Sequence, residues 1–140
     1  MRIGLIAING VRPHDPALTA LGHSLYGVAE RWRHIASLPS LALLTLAGMT
    51  GQDHEYAYWE LDDLEKQDPL PSDFDLIALS SYSAKIGTAY ELSERYRALG
   101  IPTVIGGPHV SCLPEEAAAH CDAVVLGEGE SSWPEVLRAC

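Results

Sequence analysis

The chain has 140 residues, about one domain's worth, and its 47% hydrophobic and 20% charged residues exclude global disorder. Nine basic residues against nineteen acidic ones give a formal charge of -10 with no basic stripe. That excludes nucleic acid and an anionic membrane surface as partners, because both are held through Lys and Arg.

The first predicted element is a strand over Ile3 to Ile8, an unbroken apolar run ending at Asn9 and Gly10. It is too short for a signal peptide or a membrane span. A long connection, Val11 to Leu38, follows without a clear place in a sheet. Pro39 to Met49 reads as a first helix, with proline near its start and Gly51 just past its end. His54 to Leu61 alternates and carries Tyr56, Tyr58 and Trp59, which suits an edge strand. Asp62 to Asp73 is acidic and proline-containing, and reads as a solvated loop. Phe74 to Leu79 is a third strand ending at Ser80 and Ser81. Ala84 to Leu99 is helical, with Ala89, Leu92, Tyr96 and Leu99 on one face. Pro102 to Ile105 is a fourth strand ending at Gly106 and Gly107. Pro114 to His120 is a short helix with Glu115 and Glu116 in its first turn. Ala123 to Leu126 is a fifth strand ending at Gly127. Ser131 to Ala139 is the last helix, capped by Ser131 or Ser132, with Pro134 in its first turn.

Strands without polar alternation are buried on both faces, as in a parallel sheet covered by helices. The expected fold is therefore a single α/β domain over 1–140, a flavodoxin-like, doubly wound, three-layer α/β/α arrangement with five parallel strands in the order 2-1-3-4-5. Ligands of such sheets bind at the carboxyl ends of the strands, here between strands one and three. Small, polar or glycine residues follow each of those ends: Asn9 and Gly10, then Ser80, Ser81 and Tyr82, then Gly106, Gly107, Pro108 and His109, then Gly127, Glu128 and Gly129. They are the candidate ligand-binding residues, because small side chains let a ligand approach the backbone.

Several chemistries find no support. Cys112, Cys121 and Cys140 match no metal-pair or redox spacing and read as reduced thiols of a cytoplasmic protein. No phosphate-cradling G-K-S or G-K-T occurs, and Ser80 and Ser81 lack a nucleophile elbow. Glu128 and Glu130 stand two apart on a turn, where they suit a helix start or a partner face rather than acid–base catalysis. No catalytic residue and no metal ligand is assigned.

The combination of motifs resembles one family. Pro39-Ser40-Leu41-Ala42-Leu43-Leu44-Thr45-Leu46-Ala47 is similar to the first helix of the cobalamin-binding domains that precede radical-SAM catalytic domains. Asp75 to Tyr82, Gly100 to His109 with its G-G-P-H turn, Leu113-Pro114-Glu115-Glu116-Ala117, and Asp122 to Glu130 with its G-E-G-E segment resemble the same domains. The resemblance covers Pro39 to the end. It implies a module that binds cobalamin (a corrinoid) with the nucleotide tail in the crevice and the corrin over the strand ends. Ser80, Ser81 and Tyr82 would touch the tail or ring edge, Gly106 and Gly107 would make room for corrin amides, and Gly127 and Gly129 would close the far side.

Two departures qualify that reading. The D-x-H-x-x-G signature that brings a histidine to cobalt is absent, and so is the C-x-x-x-C-x-x-C motif of an iron–sulfur cluster. Radical-SAM chemistry such as methyl transfer would thus need a catalytic domain, in cis or in trans, carrying S-adenosylmethionine and a 4Fe-4S cluster. The chain would be the N-terminal part of a longer radical-SAM protein or a free-standing binding protein. The alternatives are a cofactor-free interaction or regulatory domain of the same ancestry, and a flavodoxin-like nucleotide-binding domain.

Overall fold

The apolar runs pair as one sheet of five parallel strands: β1 (Arg2–Ile8), β2 (Glu55–Leu61), β3 (Leu76–Ser81), β4 (Thr103–Gly106) and β5 (Ala123–Val125). Their order is β2-β1-β3-β4-β5, so strand order reverses beside β1 as expected. This computed structural model describes residues 1–8, 38–61, 64–66 and 69–140. Asn9, Gly10 and the connection after them up to residue 37 lie outside the described residues.

Helices cover both faces. On one side lie α1 (Leu41–Met49) and α5 (Gly129–Ala139). Their Leu43, Ala47 and Trp133 pack on Ile3, Leu5, Leu76, Ala78 and Val104. On the other lie α2 (Ile86–Ala98), α3 (Pro108–Cys112) and α4 (Pro114–Ala118). Here Leu92, Tyr96, Val110 and Ala117 pack on Ile6, Ile8, Ile77, Leu79 and Ile105. Burying an aliphatic side chain of this size contributes roughly 1.5–3 kcal/mol, so the two clusters account for the layering. One buried polar link joins α1 to α5: Trp133 Nε1 donates to Thr50 Oγ1 at 2.8 Å, and that hydroxyl donates to the Leu46 carbonyl at 2.6 Å.

The structure departs from the sequence expectations mainly at element ends. β3 runs on through Ser80 and Ser81, because parallel pairing continues through Ala7 with Ser80 and Ile8 with Ser81. β4 likewise includes Gly106, paired with Ser80. The helix expected from Pro114 is α4, ending at Ala118, and a second short helix that the sequence reading did not expect, α3, precedes it where a turn was read; Leu113 stands between them and a proline opens each. The last helix begins at Gly129, so Glu128 stands at its N-cap, without a side-chain cap bond, and Pro134 lies inside the helix rather than in its first turn. The acidic loop after β2 is not wholly solvated, since Leu64 is buried and Leu70 packs on the core.

Candidate functional site

A slot of about 650 Å³ opens above the strand ends, on the α1/α5 side of the sheet. Its cause is a difference in side-chain size between the two faces. Successive residues of a strand point to opposite faces. On the α1/α5 face the upper strand positions are Ala7, Ala78, Ser80 and Gly106, all lining the slot. On the opposite face the same levels carry Ile8, Leu79 and Ile105, all buried. Large residues on the slot face, Ile3, Leu5 and Leu76, sit lower and fill the core. The helices therefore rest on a full core below and span an open space above.

The walls come from both helices. The α1 entry, from Leu38 to Leu43, forms one wall, and Gly129, Glu130 and Trp133 of α5 form another. The α1 start is held by Ser40. Its Oγ accepts the Leu43 N–H at 3.5 Å, and its own N–H donates to the Tyr58 hydroxyl at 2.8 Å. Tyr58 in turn donates to Glu60 at 2.9 Å, so edge strand β2 fixes where α1 begins.

At the rim, Gly107 has φ +119 and ψ 178, a combination open essentially to glycine alone. A Cβ there would lie 2.8 Å from the Ser81 carbonyl oxygen. The turn after β4 thus passes directly against the end of β3. Gly106 is different. It has no positive φ, and its added Cβ would meet Val125 at an ordinary 3.5 Å. Nothing in the fold requires glycine at 106, and a side chain there would stand in the slot.

The candidate residues named from sequence separate into three groups. Ser80, Ser81, Tyr82, Gly106, Gly107, Pro108, Gly127, Glu128 and Gly129 all line the slot. Ser80 is on the slot face, and its hydroxyl makes no hydrogen bond among the described residues. Ser81 turns its side chain to the other face, where it is buried and donates to the Tyr82 carbonyl at 3.2 Å, so it meets the slot through its backbone. His109 is not among the lining residues. Asn9 and Gly10 lie outside the described residues. The slot also extends further than expected, from β1 across β3 and β4 to β5, rather than lying between strands one and three alone.

His109 belongs to a cluster on the opposite face. Its Nε2 donates to Glu116 at 3.3 Å, and the Tyr90 hydroxyl donates to the same carboxylate oxygen at 3.0 Å. These two bonds hold the Glu116 carboxyl below the ordinary carboxylate range, while burial, then the Glu116 bond, pushes the Tyr90 hydroxyl up to about 12. Tyr90 stacks on His120 with ring centres 4.1 Å apart. The cluster binds α2, α3 and α4 together, and none of Tyr90, His109, Glu116 and His120 lines the slot.

Among the slot residues that the sequence reading did not name as candidates are Ser40, Ser111 and Trp133. Ser111 sits four residues after Gly107 and carries a hydroxyl back to it, a spacing that becomes informative only once a helix is known to start at Pro108. Among the described residues no group of three or more His, Cys, Asp or Glu could hold a metal ion, and no helix is long and apolar enough to cross a membrane.

A family model described as the B12 binding domain matches residues 38–137. The chain is 35% identical over 99 residues to bacteriochlorophyllide d C-8(2)-methyltransferase of Chlorobaculum tepidum, covering 69% of this chain and 21% of that protein. It is 36% identical over 84 residues to bacteriochlorophyllide d C-12(1)-methyltransferase of the same organism, covering 56% and 18%. An uncharacterized methyltransferase of Pyrococcus horikoshii is 30% identical over 112 residues, covering 72% and 24%. The chain thus spans about a fifth of the length of these curated relatives. Among solved structures, the N-terminal domain of a hypothetical protein of Thermotoga maritima matches with TM-score 0.43 and 27% identity, over 62% of this chain and 83% of that one.

Proposed function

This chain belongs to the B12-binding domain family, and from that premise we propose that it holds a corrinoid in the slot above its strand ends, for methyl transfer by a radical-SAM domain. The single observation that carries this reading is Gly106. The backbone tolerates a side chain there, and only the slot would lose by it. The residues present fit such a ligand. The floor is small (Ala7, Ala78, Ser80, Gly106), both helical walls carry apolar side chains (Leu43 and Leu46 on α1, Trp133 on α5), and serine hydroxyls supply polar groups. That is the usual make-up of a cofactor pocket, and the volume falls within the usual range of roughly 300–1,000 Å³.

The division of labour among the residues follows from their positions. Ser80 offers a hydroxyl with no other described partner. Gly106 and Gly107 admit the ligand close to the backbone at the end of β4. Gly127, Glu128 and Gly129 bound the far side, and Tyr82 and Pro108 stand at the mouth. The corrinoid supplies one-carbon chemistry at its cobalt when bound; the protein residues bind and orient it and exclude water from its buried edge. His109 contributes no direct contact, because its imidazole is held by Glu116 away from the slot. The catalytic domain, with S-adenosylmethionine and a 4Fe-4S cluster, would lie in the part of such proteins that this chain does not match. The methyltransferase relatives support that arrangement.

The test is direct. Purified chain mixed with hydroxocobalamin and passed through a desalting column is expected to emerge red, with about one corrinoid per chain. A colourless protein fraction would leave the two alternatives, a cofactor-free interaction domain or a binder of another nucleotide.

A further inference from the structure

We propose that Ser111 is a positioning residue that sets the width of the slot by tying the exit of β5 to the exit of β4, a role that rests on the corrinoid reading above. Both capacities of its hydroxyl are used. Oγ donates to the Gly107 carbonyl at 3.1 Å and accepts the Gly127 N–H at 2.9 Å. The bridge therefore joins the two slot-lining glycines that have positive φ, +119 at Gly107 and +65 at Gly127.

The two ends of the bridge differ in how firmly they are held. Gly107 is wedged against the Ser81 backbone. At Gly127 an added Cβ would meet no described atom within 4 Å, and Leu126, Gly127 and Glu128 are all exposed. Side-chain packing does not locate this turn; hydrogen bonds do, from the Ser111 hydroxyl at Gly127 and, within the start of α5, from Ser131 Oγ, which donates to the Glu128 carbonyl at 3.0 Å, and only the Ser111 bond reaches across to β4. The hydroxyl needs a fixed base to act from. Helix α3 has only five residues, too few to stand by its own hydrogen bonds. It is anchored by fully buried Val110 and by the His109 bond to Glu116, itself braced by Tyr90. His109 and Ser111 are two residues apart, about 200° around a helix. So α3 stands between a latch on one side and the slot on the other. It transmits the position of the α2/α4 layer to the β5 turn through one oxygen atom.

Two readouts separate this role from ordinary stability. Hydrogen–deuterium exchange at the Gly127 amide, read by NMR on ligand-free chain, reports the tether. Titration with hydroxocobalamin reports the slot. Ser111→Ala is expected to speed Gly127 exchange and to raise Kd, each by about tenfold, the scale of one lost hydrogen bond, and Ser111→Thr is expected to match wild type in both. Unchanged exchange in Ser111→Ala overturns the tether. Faster exchange with unchanged affinity overturns its effect on the slot. A Ser111→Thr chain that shares the alanine defects shows that the hydroxyl is not what acts, and overturns both. A wild-type chain that takes up no hydroxocobalamin defeats the corrinoid reading and with it the role of Ser111, even where exchange shows the tether.

Discussion

Gly107→Ala is expected to lower the Tm by about 10 °C and to abolish corrinoid retention at micromolar concentration. The backbone at 107 has φ +119 and ψ 178, a region that costs a non-glycine residue about 1–3 kcal/mol. The new methyl would also lie 2.8 Å from the Ser81 carbonyl oxygen, which is backbone at the end of a central strand and has nowhere to go. Relief requires parting the ends of β3 and β4. Together these effects amount to about 3 kcal/mol, and a domain of this size loses about 4 °C per kcal/mol. Gly87→Ala is the matched control. Residue 87 lies in the first turn of α2, where an added Cβ meets no described atom within 4 Å, so its Tm should hold or rise slightly. Thermal unfolding followed by circular dichroism on both variants decides the point. A Gly107→Ala chain that melts with wild type would mean the turn does not press on β3 as described.

Gly106→Leu is expected to weaken binding without the loss of stability. Glycine within a strand costs roughly 0.5–1 kcal/mol relative to a residue with a side chain. Position 106 has no positive φ, and the first added carbon fits against Val125 at 3.5 Å. The Tm should hold or rise by a few degrees. The rest of the leucine enters the slot, beside Ser80 and Ala78. Forcing a ligand past it costs about 1–3 kcal/mol, as overpacking does, so Kd for hydroxocobalamin should rise by up to about a hundredfold. The two neighbouring glycines thus make contrasting predictions: 107 serves the fold, and 106 serves the ligand. A Gly106→Leu chain with wild-type affinity would remove the main support for placing a ligand at this face.

Much of this arrangement was legible in the chain itself. Apolar runs ending in glycine, asparagine or serine marked four strands, aromatic alternation marked the edge strand β2, and the alternation with helical segments implied the parallel order that the structure has. Nine of the twelve residues named at the strand ends line one slot. What could not be read was the face each residue takes. Ser80 and Ser81 look equivalent in sequence, yet one faces the slot and the other the α2 side, because the strand continues through both. In a strand buried on two sides, polarity gives no alternation to read. Size does: Ile6-Ala7-Ile8 and Ala78-Leu79-Ser80 alternate large and small, and the small face is the slot face. That pattern becomes interpretable only with the register of β1, β3 and β4 in hand. His109 escaped for a related reason. It looked like a turn residue beside the ligand, but Pro108 starts a short helix, and one residue along a helix turns the side chain about 100° away. Its partner Glu116 is 7 residues further on, and Tyr90, which donates to that same carboxylate, is 19 residues before it, so no local pattern links them.

The most direct test is to locate the corrinoid by its footprint. Backbone amide shifts of ¹⁵N-labelled chain, followed during titration with hydroxocobalamin, should move and saturate near one equivalent at Ser80, Gly106, Gly107, Gly127 and Gly129, while Glu94, Tyr90 and His120 on the far face stay still. Saturable binding whose shifts cluster on that far face, or that leaves the five rim amides unmoved, would contradict the account.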